Sequence, residues 1–374
     1  MQNKRTKICI LTSVHQAFDG RIFHKEAKSL AKAGYDVTLI AQHSKDEVVN
    51  GVKIVAVPEP YNRFYRVLKT DIRILILAFK QKADIYHFHD PELMPIGLIL
   101  KVFGKKVIYD VHEDVPEQIL SKYYIPHWQR KSLAILVRFI EQLVSKAFNY
   151  VITANDSTRE KINRLKNIIT VKNFPILDGN ANFHKRDVLK RVNSPVLIYA
   201  GGLSEERGIT QVVNALGCLN SNLELILLGE FIPHIYKNEV VKLKGFKKVN
   251  YLGKVSVNEV KKYYYRSDVG IACLQPTKKY RMNIPTKLFE YMEAGLPVVV
   301  SNFALWREII DKSSCGICVD PTNPEEISDA IEYLIEHPGK AKEMGRNGRR
   351  AVLERYNWDK ESKKLLAAYK ALSN

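Results

Sequence analysis

Residues 282–300 read MNIPTKLFEYMEAGLPVVV, and they predict a helix followed at once by a buried strand. Pro285 suits the first turn of a helix, and Gly295 is the kind of residue that ends one. The apolar run after Pro297 is typical of a strand covered on both faces of its sheet. This stretch therefore predicts one α/β unit.

The same alternation extends in both directions. In the C-terminal half, strands are predicted in PVLIYA, LELILLGE, DVGIACL and CGICVD, and in the N-terminal half in KICILTS, YDVTLIAQ, VKIVAVP, DIYHFH, KVIYDVH and YVITA. Helical patterns such as RIFHKEAKSLAKAG, which ends at Gly34, separate most of them. Strands alternating with helices predict an α/β fold with two Rossmann-like, doubly wound parallel sheets.

The domain boundaries follow from a change in composition. Residues 177–187, LDGNANFHKRD, are polar and predict a linker. We therefore predict one domain over residues 1–176, a second over 190–355, and a final amphipathic helix over 356–374. Ligands bind beyond the carboxyl ends of such sheets, so the active site is expected in a cleft between the two domains.

Composition favours a soluble protein of two domains. The chain has 374 residues, of which 46% are hydrophobic and 26% are charged. No apolar run approaches the roughly 20 residues that span a bilayer. The basic start with its short apolar run predicts a first strand and not a signal peptide. We therefore expect a cytoplasmic protein.

The five cysteines are expected to be structural. Cys9, Cys218 and Cys273 are isolated in apolar segments and are predicted to lie in the core. Cys315 and Cys318 form CGIC, which invites a redox or metal interpretation. Because no second pair or nearby histidine completes such a site, CGICVD is read as a buried strand.

The net charge of +18 favours an anionic partner. No zinc-finger spacing, aromatic RNA-binding signature or basic tail is present, so we expect no nucleic-acid partner. Basic residues are concentrated in segments 63–82 and 127–148, which predicts that the N-terminal domain rests on an anionic membrane surface. In the second segment an apolar stripe is expected to pack on the sheet, namely Leu133, Leu136, Val137, Ile140, Leu143 and Val144.

Two local patterns favour a phosphate site in the C-terminal half. Thr286 and Lys287 open the helix of residues 282–300, where free amides and the helix dipole favour an anion, and Glu290 lies one turn further on. Earlier, the strand VLIYA runs into GGLSEERG, residues 201–208, whose paired glycines let the backbone approach a ligand. Each pattern taken alone also fits an ordinary helix with solvated charges or an ordinary βα loop.

Taken together, the motifs resemble the retaining glycosyltransferases of family 4, which have the GT-B fold. The resemblance covers nearly the whole chain and is carried by FDGRIFHKEAKSLAKAGYDVTLI, HFHDPEL, YDVHED, YAGGLSEERGI, NYLGKVSVNEV, IPTKLFEYMEAGLPVVVS and YNWD. It implies an acceptor-binding N-terminal domain and a nucleotide-sugar-binding C-terminal domain. It also implies a final helix that crosses back onto the first domain.

The resemblance also implies roles for individual residues. Gly201, Gly202, Arg207 and Gly208 would hold the donor diphosphate, with Thr286 and Lys287 beside them, and Glu290 would hold the nucleotide ribose. On the N-terminal side, the catalytic residues would be Asp19 and Gly20 in the loop after the first strand, with His112 reaching the transferred sugar.

Two departures from the family pattern concern the donor sugar. Met282 stands where the family often has a second glutamate, and Gly202 stands where it often has an arginine. Lys287 is a candidate to replace the lost cation.

HFHDPEL contains four residues with potential as ligands, His87, His89, Asp90 and Glu92. Imidazoles and carboxylates could hold a metal ion. Because the family needs no protein-bound metal, we expect no metal site, and His89, Asp90 and Glu92 are predicted to line the acceptor side.

The predicted function is transfer of a hexose-type sugar from a UDP- or GDP-linked donor to a saccharide or lipid-linked acceptor, with retention and with neither a metal nor a cofactor. The setting would be cell-surface polysaccharide or glycolipid assembly, peripheral to the inner face of the membrane. Two alternatives remain open: an epimerase of sugar nucleotides with the same fold, and a nucleotide-sugar-binding partner protein that has lost catalysis.

Overall fold

The structure is a computed structural model, and it describes residues 5–62, 65–111, 115–121, 125–162, 167–177 and 194–373. The chain divides into two compact units. The first is Met1–Asn173 with Trp358–Asn374, and the second is Phe174–Asn357. Apart from Leu177, the predicted linker lies outside the described residues.

The described strands of the first unit pair in the order β3-β4-β2-β1-β5-β6-β7-β8. All pairs are parallel except β3 with β4. The strands are β1 Lys7–Gln16, β2 Asp36–Gln42, β3 Glu47–Val49, β4 Val52–Val57, β5 Ile85–Phe88, β6 Lys106–Val111, β7 Tyr150–Thr153 and β8 Ile168–Thr170. Since β1 lies between β2 and β5, the winding reverses beside the end of β1, where such sheets bind ligands.

The second unit contains a parallel sheet with the order β11-β10-β9-β12-β13-β14 over the part that the structure describes. Its strands are β9 Val196–Ala200, β10 Glu224–Leu228, β11 Val249–Gly253, β12 Val269–Ala272, β13 Val298–Ser301 and β14 Gly316–Val319. Here the winding reverses at β9. The prediction of two doubly wound parallel sheets is therefore confirmed.

The described helices are numbered in chain order. In the first unit they are α1 Lys28–Lys32, α2 Asp71–Gln81, α3 Met94–Val102, α4 Val115–Ser121, α5 His127–Ser145 and α6 Asp156–Lys161. In the second unit they are α7 Ile209–Cys218, α8 Lys237–Val240, α9 Val257–Arg266, α10 Lys278–Met282, α11 Thr286–Glu293, α12 Ala304–Ser313, α13 Pro324–Glu336 and α14 Pro338–Glu354. The last helix is α15 Trp358–Ser373.

Helix α15 belongs to the first unit, as predicted. Its residues Trp358, Leu365 and Leu372 are buried in the core formed by β1, β2 and β5. The indole of Trp358 donates a hydrogen bond to Ser29 Oγ at 2.8 Å. The hydroxyl of Tyr369 lies 2.7 Å from His87 Nδ1 in the buried interior. The helix is thus fixed to the sheet by both apolar and polar contacts.

Helix α5 packs with a face different from the one predicted. Its buried residues are Ala134, Glu141 and Ser145, and Glu141 accepts a hydrogen bond from the hydroxyl of buried Tyr109 at 2.8 Å. The large apolar side chains are exposed: Trp128, Leu133, Ile135, Leu136, Phe139, Ile140 and Leu143. The expectation that this stripe packs on the sheet was wrong for Leu133, Leu136, Ile140 and Leu143, because small residues and one carboxylate are buried instead. Val137 and Val144 are partly buried, and Val144 packs against the core, as expected.

The cysteine predictions need one correction. Cys9, Cys273 and Cys315 are buried, as expected, and Cys318 is partly buried. Cys218, however, is exposed at the last position of α7, where its thiol points back to the carbonyl of Asn214 at 3.6 Å. The apolar residues around it belong to the buried face of α7, whereas Cys218 lies beyond that face.

We predict that Tyr369→Phe destabilises the first unit. The substitution removes the hydroxyl that contacts His87 and leaves the buried ring nitrogen Nδ1 without this partner. We expect the free energy of unfolding to fall by about 1–3 kcal/mol. Each kcal/mol should lower the melting temperature by about 2–4 °C for a unit of this size. Thermal unfolding measures the effect, with Tyr333→Phe, an exposed tyrosine on α13, as the control. Equal melting temperatures for both variants would contradict the anchoring role.

Candidate functional site

The loop after β9 brings the backbone of the second unit close to two cations. Gly201 has a φ of +133°, a region that side chains rarely allow. A β-carbon added at Gly201 would lie 3.0 Å from Lys287 Nζ and 3.3 Å from Arg207 Nη1. A β-carbon at Gly202 would lie 3.5 Å from Arg207 Cζ. The paired glycines therefore leave room for a ligand beside both positive charges.

Arg207 is placed by a turn that depends on Gly208. The turn Glu205–Arg207 precedes α7, and Gly208 between them has a φ of +73°. A β-carbon at Gly208 would overlap the carbonyl oxygen of Cys273, at the end of β12. Burial lowers the pKa of Arg207, but the hydroxyls of Tyr199 and Tyr280 outweigh this effect and raise it. Arg207 therefore stays cationic.

Lys287 is a buried cation in the first turn of α11. Its side chain is 7% exposed, and Nζ lies 3.5 Å from the centre of the Tyr199 ring. Nζ has no hydrogen-bond partner among the described residues. Burial, reinforced by the charge of Arg207 and opposed by Glu290, holds the pKa of Lys287 well below its ordinary value. Such a group gains most from an anion that reaches it.

Glu290 lies one turn beyond Lys287 and is half-buried. Its Oε2 accepts a hydrogen bond from the hydroxyl of Tyr264 at 2.9 Å. Thr286 opens α11 and is exposed, while Met282 lies at the end of the separate helix α10. The carboxylate of Glu290 can accept hydrogen bonds from a diol while Arg207 and Lys287 hold phosphate oxygens.

The sequence analysis missed the tyrosines of this site. Tyr199 lies in β9 under Lys287, and its hydroxyl donates to the carbonyl of Gly202 at 3.1 Å. Tyr264 and Tyr280 approach Glu290 and Arg207 from α9 and α10. A tyrosine in a strand predicted to be fully buried, such as VLIYA, is the one available signal, because its hydroxyl must find a polar partner.

In the first unit, Asp19 organises the loop after β1. Its Oδ1 accepts hydrogen bonds from the backbone amides of Arg21 at 2.8 Å and Ile22 at 2.9 Å, at the start of the helical turn Ile22–Ala27. Gly20 is exposed, and open space surrounds the position that its β-carbon would occupy. The geometry gives Asp19 a capping role; the catalytic contacts of Asp19 and Gly20 remain predictions.

Asp90 and Glu92 bind other parts of the first unit. Asp90 is buried, and its Oδ2 accepts hydrogen bonds from Thr12 Oγ1 at 2.8 Å and the amide of Ser13 at 2.6 Å, which fixes the end of β1. Glu92 forms an ion pair with Arg66 at 2.7 Å. Both residues thus lie at the switch point of the first sheet, and their contact with an acceptor remains a prediction.

His89 belongs to a buried cluster with Arg21, Glu26, His87 and Asp110. Arg21 contacts both carboxylates, with Nη2 2.7 Å from Asp110 and Nε 2.9 Å from Glu26. Burial raises the pKa of Glu26 well above its ordinary value, although Arg21 opposes this effect. Ligand atoms of the two histidines and two carboxylates lie within 4.8 Å of one another and could hold a metal ion. Arg21 supplies a positive charge to both carboxylates of this cluster, and the expectation of no metal site stays a prediction.

His112, the residue predicted to reach the transferred sugar, lies outside the described residues. Its role stays a prediction.

Comparison with known proteins agrees with the fold. Residues 20–173 match the family described as Glycosyltransferase Family 4, and residues 180–351 match Glycosyl transferases group 1. An uncharacterized glycosyltransferase of Methanocaldococcus jannaschii is 24% identical, over 92% of each chain. The capsular polysaccharide biosynthesis glycosyltransferase CapM of Staphylococcus aureus is 22% identical, over 95% of this chain and 94% of that one.

Solved structures show the same architecture. Sucrose-phosphate synthase from Thermosynechococcus elongatus has a TM-score of 0.76 at 17% identity, covering 98% of this chain and 99% of that one. Anabaena HepE in complex with UDP-glucose has a TM-score of 0.69 at 13% identity, covering 98% of this chain and all of that one. The two family matches and the two doubly wound sheets identify a glycosyltransferase with the GT-B fold. The chain belongs to the glycosyltransferases of the family 4 type.

We predict that Arg207→Ala weakens nucleotide binding and slows turnover. Removing one preorganised charge from such a site costs about a hundredfold in rate. Calorimetry with UDP and GDP and a turnover assay measure the two effects. Arg266→Ala, an exposed arginine at the end of α9, is the matched control. Unchanged affinity and turnover in Arg207→Ala would exclude the assignment.

A second prediction concerns pH. A bound diphosphate raises the pKa of Lys287, which burial and Arg207 hold low in the free protein. At a pH between the pKa of Lys287 in the free protein and its higher pKa in the complex, binding therefore takes up a proton. Nucleotide affinity falls as the pH rises through this range, by at most about tenfold per pH unit. Titrations above about pH 7.5 avoid the protonation of the phosphate itself. Lys287→Met should bind more weakly and lose this slope; a slope that persists in Lys287→Met would assign it to another group.

Proposed function

We propose that this chain transfers a hexose-type sugar from a UDP- or GDP-linked donor to an acceptor with retention, in the assembly of a cell-surface polysaccharide or glycolipid. The observation that carries the proposal is the buried Nζ of Lys287, which has no hydrogen-bond partner in the described part of the chain and lies beside Arg207 at the paired glycines. The UDP-glucose bound in HepE supports a nucleotide-sugar donor.

The chemistry assigned to these residues is stabilisation of the leaving group. As the bond between sugar and phosphate breaks, negative charge grows on the diphosphate, where Arg207 and Lys287 are fixed in advance. Glu290 holds the ribose, so that the donor is oriented before reaction. In the proposed front-face mechanism, a diphosphate oxygen takes the proton of the acceptor hydroxyl that attacks on the same face, which requires no metal or cofactor.

The proposal is tested with a panel of UDP- and GDP-sugars, first by thermal shift and then by transfer to saccharide and lipid-linked acceptors. NMR of the product determines whether the anomeric configuration is kept. An epimerised donor without glycosylated product would favour the epimerase alternative. Donor binding without transfer or hydrolysis would favour the inactive partner protein. His112→Ala should lower turnover more than nucleotide affinity if His112 contacts the sugar.

We further propose that the first unit rests on an anionic membrane surface at the inner face of the membrane, where a lipid-linked acceptor is presented. The outward face of α5 supports this, since Trp128 is 77% and Phe139 62% exposed. Lys131, on the same helix, and Lys146, directly after it, are exposed as well. No described helix is long and apolar enough to cross a membrane. An apolar face flanked by cations instead suits a helix lying in the interface.

Membrane binding is predicted to need both apolar contact and charge. The protein should co-sediment with phosphatidylcholine vesicles that contain phosphatidylglycerol, and salt should release it, because each basic residue contributes about 1 kcal/mol near an anionic leaflet. Phe139→Asp and Leu143→Asp should weaken co-sedimentation, whereas Val48→Asp, at an exposed position of β3, should not. If the parent stays in the supernatant at low salt, the membrane proposal fails and a soluble acceptor is favoured.

A further inference from the structure

We infer that Tyr264 is a positioning residue, whose hydroxyl orients the carboxylate of Glu290 toward the ribose of the donor. The inference rests on the proposed donor role of Glu290 and adds a residue to it that no sequence motif indicated. Tyr264 would act through Glu290, without touching the nucleotide.

The contact itself is well defined. Tyr264 lies on α9 and is 4% exposed, and its hydroxyl donates to Glu290 Oε2 at 2.9 Å. Glu290 lies on α11, 26 residues further along the chain. A hydroxyl that donates to one carboxylate oxygen restricts the side-chain rotamer of Glu290. The remaining lone pairs of the carboxylate, on both oxygens, stay available to the two hydroxyls of a ribose.

Tyr264 is itself held by its neighbour Tyr291. The two rings meet edge to face, with centroids 5.2 Å apart and planes at 86°. The Tyr291 hydroxyl accepts a hydrogen bond from the amide of Ala200 at 3.2 Å and lies 3.4 Å from the carbonyl of Ile271. A β-carbon at Gly270 would lie 2.5 Å from the Tyr291 ring, so this position must be glycine for the ring to fit.

These contacts connect Glu290 to the phosphate loop. Ala200 is the last residue of β9 and directly precedes Gly201, so Tyr291 is bonded to the strand end from which the loop begins. Glu290 and Tyr291 are consecutive in α11. The backbone of Glu290 is therefore fixed relative to the loop of residues 201–208. The hydrogen bond from Tyr264 then restricts the side-chain rotamer of Glu290.

The hydroxyl keeps its donor role under all assay conditions. Burial, with smaller contributions from Tyr291 and Glu290, raises the pKa of Tyr264 far above its ordinary value. The group therefore stays protonated and can serve Glu290 as a donor but never as a competing anion.

The test compares nucleotides with and without the ribose diol. Calorimetry gives the affinities of UDP, GDP and their 2′,3′-dideoxy forms for the parent, Tyr264→Phe, Glu290→Ala and the double variant. The parent should prefer the ribose form. Tyr264→Phe should reduce that preference about two- to tenfold, the value of one hydrogen bond, and leave the dideoxy affinity nearly unchanged. Tyr263→Phe, on the same helix, is the control, because its hydroxyl forms no hydrogen bond within the described ranges.

The outcomes separate the inference from the proposed function. If the parent shows no preference for the diol, the role of Glu290 fails, and that of Tyr264 fails with it. If Glu290→Ala abolishes the preference and Tyr264→Phe keeps it, the inference alone is overturned. Equal losses for ribose and dideoxy forms in Tyr264→Phe would show a merely structural residue and would also overturn it.

A second comparison tests whether Tyr264 acts through the Glu290 side chain. In the Glu290→Ala background, the further change Tyr264→Phe should alter neither affinity, because the side chain through which Tyr264 acts is gone. An additional loss in this background would overturn the inference.

Discussion

Lys287 and Arg207 lie side by side in the second unit, and the repulsion between them when both are protonated is the constraint that the surrounding geometry must meet. Lys287 is attracted by the ring of Tyr199 and the carboxylate of Glu290, and Arg207 by the hydroxyls of Tyr199 and Tyr280. Such an arrangement is unfavourable in the free protein, since burial and like charge both oppose ionisation of Lys287. It becomes favourable when a dianionic group enters, which is the arrangement expected of a site that stabilises a departing diphosphate.

The first unit contains a buried cluster in which both charge signs are present. Arg21 is paired with Asp110 and Glu26, and the contacts extend through His87 to Tyr369 on the last helix. The guanidinium of Arg21 thus has carboxylate partners within its own unit, whereas Lys287 Nζ in the second unit has no hydrogen-bond partner among the described residues.

Helix α5 shows that amphipathicity identifies a helix without identifying which side is buried. Its contact with the sheet is made by Ala134, Ser145 and the hydrogen bond between Glu141 and Tyr109, so the apolar side is left outward. An exposed apolar face of this size costs free energy in water unless something covers it. The basic residues beside it favour an anionic lipid surface as that partner.

The sequence by itself determined the features that are local or periodic. Alternating apolar runs and helical patterns gave the two parallel sheets, and the three-residue spacing of Lys287 and Glu290 put a cation and a carboxylate on one face of α11. The motif GGLSEERG indicated the close approach of the backbone to Arg207. Only the tertiary structure decided the long-range contacts: Arg21 with Asp110, 89 residues apart, and Tyr264 with Glu290. It also decided the buried side of α5. The physical reason is that backbone periodicity is encoded within a few residues, whereas a side chain's partner depends on which strands and helices become neighbours after the chain has folded.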